Sequence, residues 1–192
     1  MSISEMIDNG FNVRDEYKSL TDVELKEISN NDRLNYSILF LNLEKNLNVS
    51  NLIRTGHLMG ASNFFIIGST RYDRRGTVGS QNYINIKRIE CDPSDESVIS
   101  CINKISQDYN MKMVFLEQSE NSIDLSSIEF FDVIKDNHCC IVIGNEGTGI
   151  SKDVISNCAT KVVEINQLGV IRSINAAVAG GIVMYKIKEI LD

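Results

Sequence analysis

From residue 36 onward, the chain alternates between short apolar runs of strand length and longer amphipathic stretches. The apolar runs are 38–41, 64–67, 113–116, 141–143 and 162–165. They are apolar nearly throughout, which is typical of strands that are buried on both faces of a parallel sheet. The helical patterns cover 48–59, 94–108, 151–158 and 173–190. Because strands and helices alternate, the pattern predicts an α/β fold with a parallel sheet flanked by helices.

The first 34 residues have a different character, because they are polar and lack strand-like runs. Thr21 and Glu24 have the spacing of a capping box, which predicts a short helix that ends near Asn30. We therefore expect an N-terminal helical appendage over 1–34 and a main domain over 35–192. The opening residues carry Glu5 and Asp8 and do not resemble a secretory signal.

The composition fits one domain of ordinary size, since the 192 residues are 43% hydrophobic. The longest apolar or small run, 176–185, is ten residues, whereas a membrane span needs about 18 to 20. The five cysteines form no C-x-x-C pair and are typical of reduced thiols in a cytoplasmic protein. The two histidines lack ligand spacing, so we expect no metal site.

A glycine-rich stretch, 144–149, follows the predicted strand that ends at Ile143 and precedes Ser151, a predicted helix cap. Its three glycines free the backbone to approach a ligand and to offer its N–H and C=O groups. It lacks the lysine of a phosphate-binding loop and the G-x-G-x-x-G of a dinucleotide fingerprint. A plain turn between a helix and a strand is the alternative interpretation.

Two further clusters lie at predicted helix starts. Asn48 and Arg54 lie on the helix after the first core strand, where a helix cap and a surface ion pair are the simpler interpretations. Ser173 and Asn175 open the last predicted helix, where free N–H groups and the positive end of the helix dipole favour an electron-rich partner. These two residues are equally compatible with simple caps.

Taken in order, N-x5-R, G-N-E-x-x-G and Q-x-G-x-x-x-S-x-N resemble the three motifs of the SpoU class of SPOUT (α/β-knot) methyltransferases. The resemblance runs from about Tyr36 to the carboxyl terminus. The segment 116–122 is similar to the branch that methylates a D-loop guanosine of tRNA. The resemblance implies a C-terminal trefoil knot, a homodimer, and methyl transfer from S-adenosylmethionine to a ribose 2′-hydroxyl in RNA, with tRNA favoured over rRNA.

The resemblance also implies roles for individual residues. The residues that match the family's active-site positions are Asn48, Arg54, Glu146, Ser173 and Asn175, with Arg54 central. The expected cofactor-binding positions are Gly144, Ile165 and Ile174, through their backbones, together with Gly149 and Gly169. Because a guanidinium stays protonated, we expect Arg54 to stabilise negative charge and to anchor phosphate. The resemblance also gives a reason for the small residues over 176–181, since knotted backbone and the partner subunit would pass closely by this helix.

RNA must bind an acidic chain, since 19 basic and 26 acidic residues give a formal charge of −7. Indiscriminate attraction to polyanions is disfavoured, so the RNA must meet a local basic patch. Between residues 71 and 88, every charged residue except Asp73 is basic. The predicted RNA-binding residues are Arg71, Arg74, Arg75, Lys87 and Arg88. A solvated charged loop is the alternative.

Three alternative functions stay open at this point. The first is methylation of rRNA by an enzyme of the same class. The second is a catalytically silent, RNA-binding knotted dimer. The third is a nucleotide- or NAD-binding domain that uses the stretch 144–149, which the missing lysine and the missing fingerprint disfavour.

Overall fold

The computed structural model describes residues 12–41, 46–68 and 71–192, and within them the chain forms a seven-stranded sheet. The strands are β1 (Tyr36–Leu41), β2 (Asn63–Ile67), β3 (Asn85–Ile89), β4 (Lys112–Leu116), β5 (Ile123–Asp124), β6 (Cys139–Ile143) and β7 (Lys161–Glu164). Their order is β3-β2-β1-β6-β4-β7-β5, and every neighbouring pair is parallel. The predicted parallel sheet is confirmed.

Helices cover both faces of this sheet. They are α1 (Asp22–Asn31), α2 (Asn46–Leu58), α3 (Arg74–Thr77), α4 (Asp95–Tyr109), α5 (Ile128–Asp136), α6 (Lys152–Cys158) and α7 (Ala176–Leu191). Short 3-10 turns lie at Asp15–Tyr17 and Ser80–Asn82. No helix in the described ranges is both long and apolar enough to cross a bilayer.

The sheet separates two apolar layers because successive side chains of a strand point to opposite faces. Ile38 and Phe40 of β1 belong to the layer beneath α2, α5 and α7, whereas Leu39 and Leu41 belong to the layer beneath α4 and α6. Both layers are buried, which explains why β6 is apolar throughout and β1 is apolar at every position except Ser37. Burial also raises the pKa of the Cys139 thiol in β6 to about 12, which makes this thiol unreactive.

Four elements escaped prediction from the sequence. The edge strand β3 exposes Lys87 and Arg88, so it has no continuous apolar run, and β5 has only two residues. The others are the single turn α3 and the amphipathic α5, which Ser127 caps by accepting from the Phe130 N–H at 3.2 Å. The last helix begins at Ala176 rather than at 173, because Asn175 caps it.

The predicted capping box of α1 is present. Thr21 Oγ1 accepts from the Glu24 N–H at 3.4 Å, and the Glu24 carboxylate accepts from the Thr21 N–H at 2.8 Å. Beyond α1, Arg33 donates to the His57 carbonyl oxygen at 2.9 Å and so ties this segment to the end of α2. Residues 1–11 of the predicted appendage lie outside the described residues, and the boundary at 34/35 stays a prediction.

Glycines bring α2 and α7 close together. A Cβ on Gly180 would lie 2.4 Å from Leu52 Cδ2 and 2.8 Å from Ile143 Cδ1. On α2, a Cβ on Gly56 would lie 2.6 Å from Phe64 Cε1. Side chains of α2 and β6 therefore fill the space beside Gly180. The trefoil knot itself stays a prediction.

Candidate active site

Three of the predicted site residues meet at the carboxyl edge of the sheet. Asn48 lies in the first turn of α2 after β1, Glu146 follows the neighbouring strand β6, and Asn175 caps α7. Asn48 Nδ2 donates to Glu146 Oε1 at 2.7 Å, and Asn175 Nδ2 donates to Asn48 Oδ1 at 3.3 Å. The chain thus joins residues 127 positions apart in one hydrogen-bonded cluster.

The cap of α7 fixes the orientation of this cluster. Asn175 Oδ1 accepts from the Ala177 N–H at 2.8 Å and the Val178 N–H at 3.3 Å, so its amide nitrogen must face outward. That nitrogen meets the carbonyl oxygen of Asn48, which leaves the amide nitrogen of Asn48 to face Glu146. The orientation of the Asn175 amide therefore fixes that of the Asn48 amide, and the largely buried Asn48 holds the Glu146 carboxylate in place.

The segment 144–150, called the glycine loop below, folds back on itself. Asn145 Oδ1 accepts from the N–H groups of Gly147 at 2.8 Å and Thr148 at 3.0 Å, and the Gly149 N–H donates to the Asn145 carbonyl at 2.9 Å. Gly149 adopts a φ of +67°, which glycine tolerates best. A Cβ on Gly144 would lie 2.3 Å from Ile150 Cγ1, so only glycine fits there.

Residues 165–175, called the crossing segment below, run from the end of β7 to Asn175 beside α2. Since β4 and β6 stand between β7 and β1 in the sheet, this segment spans their carboxyl ends. Within the described part of the chain, no backbone–backbone hydrogen bond involves residues 165–174. Leu168 and Val170 are 98% and 100% exposed, and a Cβ on Gly169 would meet nothing within 4 Å. The segment thus offers open backbone polar groups and apolar side chains.

Two predicted catalytic residues lie apart from the cluster. Arg54 is exposed and has no hydrogen bond or ion pair among the described residues. It is six residues beyond Asn48 on α2, which places it about 120° around the helix and about 9 Å along its axis. Ser173 is exposed in the crossing segment, two residues before Asn175. A single chain therefore does not bring Arg54 to Glu146.

A family model described as the SpoU rRNA Methylase family matches residues 35–185. The chain belongs to this SpoU family. No curated protein matches the sequence.

Solved structures share the fold. The A. aeolicus TrmH/SpoU tRNA modifying enzyme is 20% identical with a TM-score of 0.70, over 88% of this chain and 81% of that one. The SpoU methyltransferase AviRb from Streptomyces viridochromogenes, solved with AdoMet, is 22% identical with a TM-score of 0.64, over 82% of this chain and 61% of that one. An AdoMet-bound rRNA methyltransferase from Sinorhizobium meliloti is 23% identical with a TM-score of 0.64, over 86% of this chain and 59% of that one. The matched region thus spans about three fifths of the last two proteins.

In this SpoU chain, the predicted RNA-binding arginines of residues 71–75, called the basic segment below, lie next to α2. Ser50 Oγ on α2 accepts from the Asp73 N–H at 2.8 Å, and a Cβ on Gly76 would lie 2.7 Å from Ser50 Cβ. Sequence reasoning missed this contact, because no pattern in the residues around Ser50 marks it as a partner of Asp73. Ser50 thus fixes the basic segment to the helix that carries Asn48, on another face of that helix.

The five predicted basic residues are not equivalent. Arg71 and Arg74 are exposed, whereas Arg75 Nη2 lies 2.6 Å from Asp73 Oδ2 and its hydrogen bonds lower the pKa of that carboxyl. Lys87 and Arg88 are consecutive in β3 and therefore point to opposite faces of the sheet. The ammonium of Lys87 lies over the Tyr109 ring on α4, 4.6 Å from its centroid. Lys87 is thus separated from the basic segment.

Another residue that sequence reasoning missed is Glu117, directly after β4. Its Oε2 accepts from the Ile150 N–H at 3.1 Å and so holds the end of the glycine loop. The only signal in the sequence is a carboxylate placed at the end of an apolar strand. Among the described residues, no group of three His, Cys, Asp or Glu side chains could hold a metal ion.

Proposed function

We propose that this chain is an S-adenosylmethionine-dependent RNA 2′-O-ribose methyltransferase that acts on tRNA, at a guanosine of the D-loop. The observation that carries the proposal is the cluster of Asn48, Glu146 and Asn175, because it joins all three motif segments at the carboxyl edge of a parallel sheet. Ligands of open α/β sheets bind at this edge.

The glycine loop and the crossing segment fit an adenosyl cofactor. The backbones of Gly144, Ile165 and Ile174 would hold it, next to Gly149 and Gly169. An adenine and its ribose need backbone donors and acceptors together with apolar contact, and the crossing segment offers both. When bound, S-adenosylmethionine supplies an activated methyl group.

A homodimer is part of the proposal, and two exposed helix faces support it. On α7, Val178, Ile182 and Tyr185 are exposed at helical spacing. On α2, Leu47 and Leu58 are exposed at either end of a stripe that includes Arg54. The stripes flank the line along which the two helices pack, where Thr55 Cγ2 is 3.8 Å from the Cβ position of Gly181. Apolar surface of this kind is typical of an interface.

The dimer accounts for the position of Arg54. Since Arg54 lies between Leu47 and Leu58 on the α2 stripe, association through this surface carries its guanidinium to the second protomer. In the proposed enzyme Arg54 completes the cluster of its partner chain. A monomer would then be inactive even when correctly folded.

The residues divide the chemistry among them. Negative charge develops on the ribose oxygen as the methyl group arrives, and a fixed guanidinium in a site that excludes water stabilises that charge. Arg54 takes this role and also holds a phosphate, because it does not give up its proton at physiological pH. Asn48 and Asn175 orient Glu146, and Ser173 donates or accepts at the ribose. The proton of the hydroxyl leaves to water or to a phosphate oxygen.

RNA reaches this site along the basic segment. Arg71 and Arg74 are exposed, and Ser50 fixes their segment to the helix that carries Asn48. Arg88 extends the basic surface on the edge strand β3, because it is in register with Ile66 and faces the layer beneath α2, whereas Lys87 lies apart over Tyr109. The similarity of 116–122 to the D-loop branch favours tRNA over rRNA.

The test is nucleoside mass spectrometry of tRNA and rRNA pools incubated with the protein and S-adenosylmethionine. We expect 2′-O-methylguanosine in the tRNA, and no product from Arg54→Ala, which removes the charge of an exposed side chain. Product in rRNA alone would reassign the substrate. Binding of the cofactor without turnover on either pool would identify a silent RNA-binding protein.

The dimer has its own test in analytical ultracentrifugation. We expect Ile182→Glu to sediment as a folded, inactive monomer, because it places charge on the α7 stripe. Ile128→Glu is the matched control, since Ile128 is an exposed isoleucine on α5 outside both stripes. A monomeric, active parent protein would contradict the dimer.

A further inference from the structure

The side chain of Glu117 makes contacts that its position in the sequence does not reveal. Its backbone N–H extends the pairing of β4 with β7 by donating to the Val163 carbonyl at 3.1 Å. Its carboxylate turns toward the glycine loop, where Oε2 accepts from the Ile150 N–H at 3.1 Å. Oε1 accepts from the Gln118 N–H at 3.0 Å. The carboxylate thus joins the end of β4 to the loop between β6 and α6.

The loop is built to receive this carboxylate. A Cβ on Gly149 would lie 2.6 Å from Glu117 Oε2, so the absence of a side chain there leaves room for the oxygen. Gly149 also has a φ of +67°, which turns the chain so that the next N–H, that of Ile150, faces Glu117. Because Ile150 is buried, this N–H has little access to water.

The two ends of the loop are therefore held in different ways. Asn145 organises the beginning from within, through the N–H groups of Gly147 and Thr148. Glu117 holds the end from outside the loop. Between these anchors lies Glu146, which meets Asn48 at 2.7 Å. A shift of the loop end would displace Glu146 and the Gly144 backbone together.

We propose that Glu117 is a positioning residue that fixes the glycine loop in the conformation that receives the cofactor. The inference rests on the proposed function, since it takes the glycine loop as part of an adenosyl site. Glu117 acts through hydrogen bonds to backbone N–H groups, so its acceptor oxygen matters and its charge does not. Removing the acceptor leaves the buried N–H of Ile150 unsatisfied.

The matched variants follow from this distinction. Glu117→Ala removes both acceptors, whereas Glu117→Gln keeps one carbonyl oxygen for the Ile150 N–H. Glu120→Ala is the control, because Glu120 is an exposed carboxylate in the same connection after β4. Gly149→Ala is a second way to break the contact, since its methyl group would occupy the position of Glu117 Oε2.

The first measurement is the dissociation constant for S-adenosylhomocysteine, by isothermal titration calorimetry. We expect about tenfold weaker binding for Glu117→Ala and for Gly149→Ala. Glu117→Gln should stay within about threefold of the parent protein, and Glu120→Ala should match it. Equal binding by parent and Glu117→Ala would overturn the proposal, and so would a Glu117→Gln variant as weak as Glu117→Ala.

The second measurement separates this proposal from the proposed function. Amide hydrogen exchange of Ile150 without ligand should be about tenfold faster in Glu117→Ala and unchanged in Glu117→Gln. If the parent protein does not bind S-adenosylhomocysteine, the proposed function fails, and the role of Glu117 toward the cofactor fails with it, even where exchange confirms its hold on the loop. If the parent binds but the exchange of Ile150 is the same in all variants, only the Glu117 proposal fails.

Discussion

Replacement by alanine should change the free energy of unfolding in opposite directions at two neighbouring glycines of α7. Gly180 faces α2 and β6, and an added Cβ would lie 2.4 Å from Leu52 Cδ2 and 2.8 Å from Ile143 Cδ1. Both partners are fully or almost fully buried and have no room to withdraw. Gly181 faces Thr55, whose Cγ2 would be 3.8 Å from the new methyl group, an ordinary van der Waals distance.

The sizes of these effects follow from helix propensity and packing. Alanine in place of glycine inside a helix gains about 1 kcal/mol at either position. Overpacking a tight core costs about 1 to 3 kcal/mol, and two contacts below 3 Å place Gly180→Ala at the upper end of this range. We therefore expect Gly180→Ala to lower the free energy of unfolding by about 2 kcal/mol and Gly181→Ala to raise it by about 0.5 to 1 kcal/mol.

Urea denaturation of both variants at one protein concentration measures the difference, which should be about 3 kcal/mol. The common concentration matters because the proposed dimer would have a concentration-dependent stability. If the two variants shift in the same direction, the close approach of α2 and α7 is not as described. A stabilised Gly180→Ala would contradict the packing directly.

Three other perturbations test the site and its surroundings. Asn48→Asp places a carboxylate against Glu146, so the rate of methyl transfer should fall about 100-fold at pH 8. The rate should recover in part at lower pH, because the two carboxylates then take up a proton. Single-turnover assays normalised to the parent protein measure both effects. Arg74→Gln should reduce the slope of log K for RNA against log salt by about 1, whereas Arg75→Gln should change it less, because Asp73 pairs with Arg75. Burial and the nearby Arg33 lower the pKa of His57 to about 4, so the folded protein keeps this imidazole neutral. The unfolded chain protonates this imidazole near pH 6.5, so the free energy of unfolding falls as the pH drops from about 6.5 to about 4. Between pH 7 and pH 5, His57→Gln should therefore lose about 1 kcal/mol less of its free energy of unfolding than the parent protein, as measured by urea titration at each pH.

The sequence predicts the centre of the fold better than its edges. The runs in β1 and β6 are apolar at every position because both faces of those strands are buried. The edge strand β3 pairs only with β2 and exposes Lys87 and Arg88 on opposite faces, so its pattern resembles a charged loop. The start of α7 moves by three residues because the side chain of Asn175, rather than that of Ser173, caps it.

The candidate site, like the fold, could be predicted from the sequence only in part. The meeting of Asn48, Glu146 and Asn175 could be anticipated, since each follows the carboxyl end of a strand or opens a helix there. The separation of Arg54 from this cluster could not, because the motif spacing does not show which face of α2 meets Glu146 and Asn175. The contact between Glu117 and the Ile150 N–H joins a side chain to backbone 33 residues away, and backbone donors leave no trace in a sequence.

The most direct test of the central claim is a crystal structure of the protein with S-adenosylhomocysteine. The account predicts a dimer in which the adenosyl group lies between the glycine loop and the crossing segment. Its sulfur should face the cluster of Asn48, Glu146 and Asn175, with the guanidinium of Arg54 from the second protomer close by. A ligand bound elsewhere, or a dimer that leaves Arg54 far from both clusters, would contradict the account.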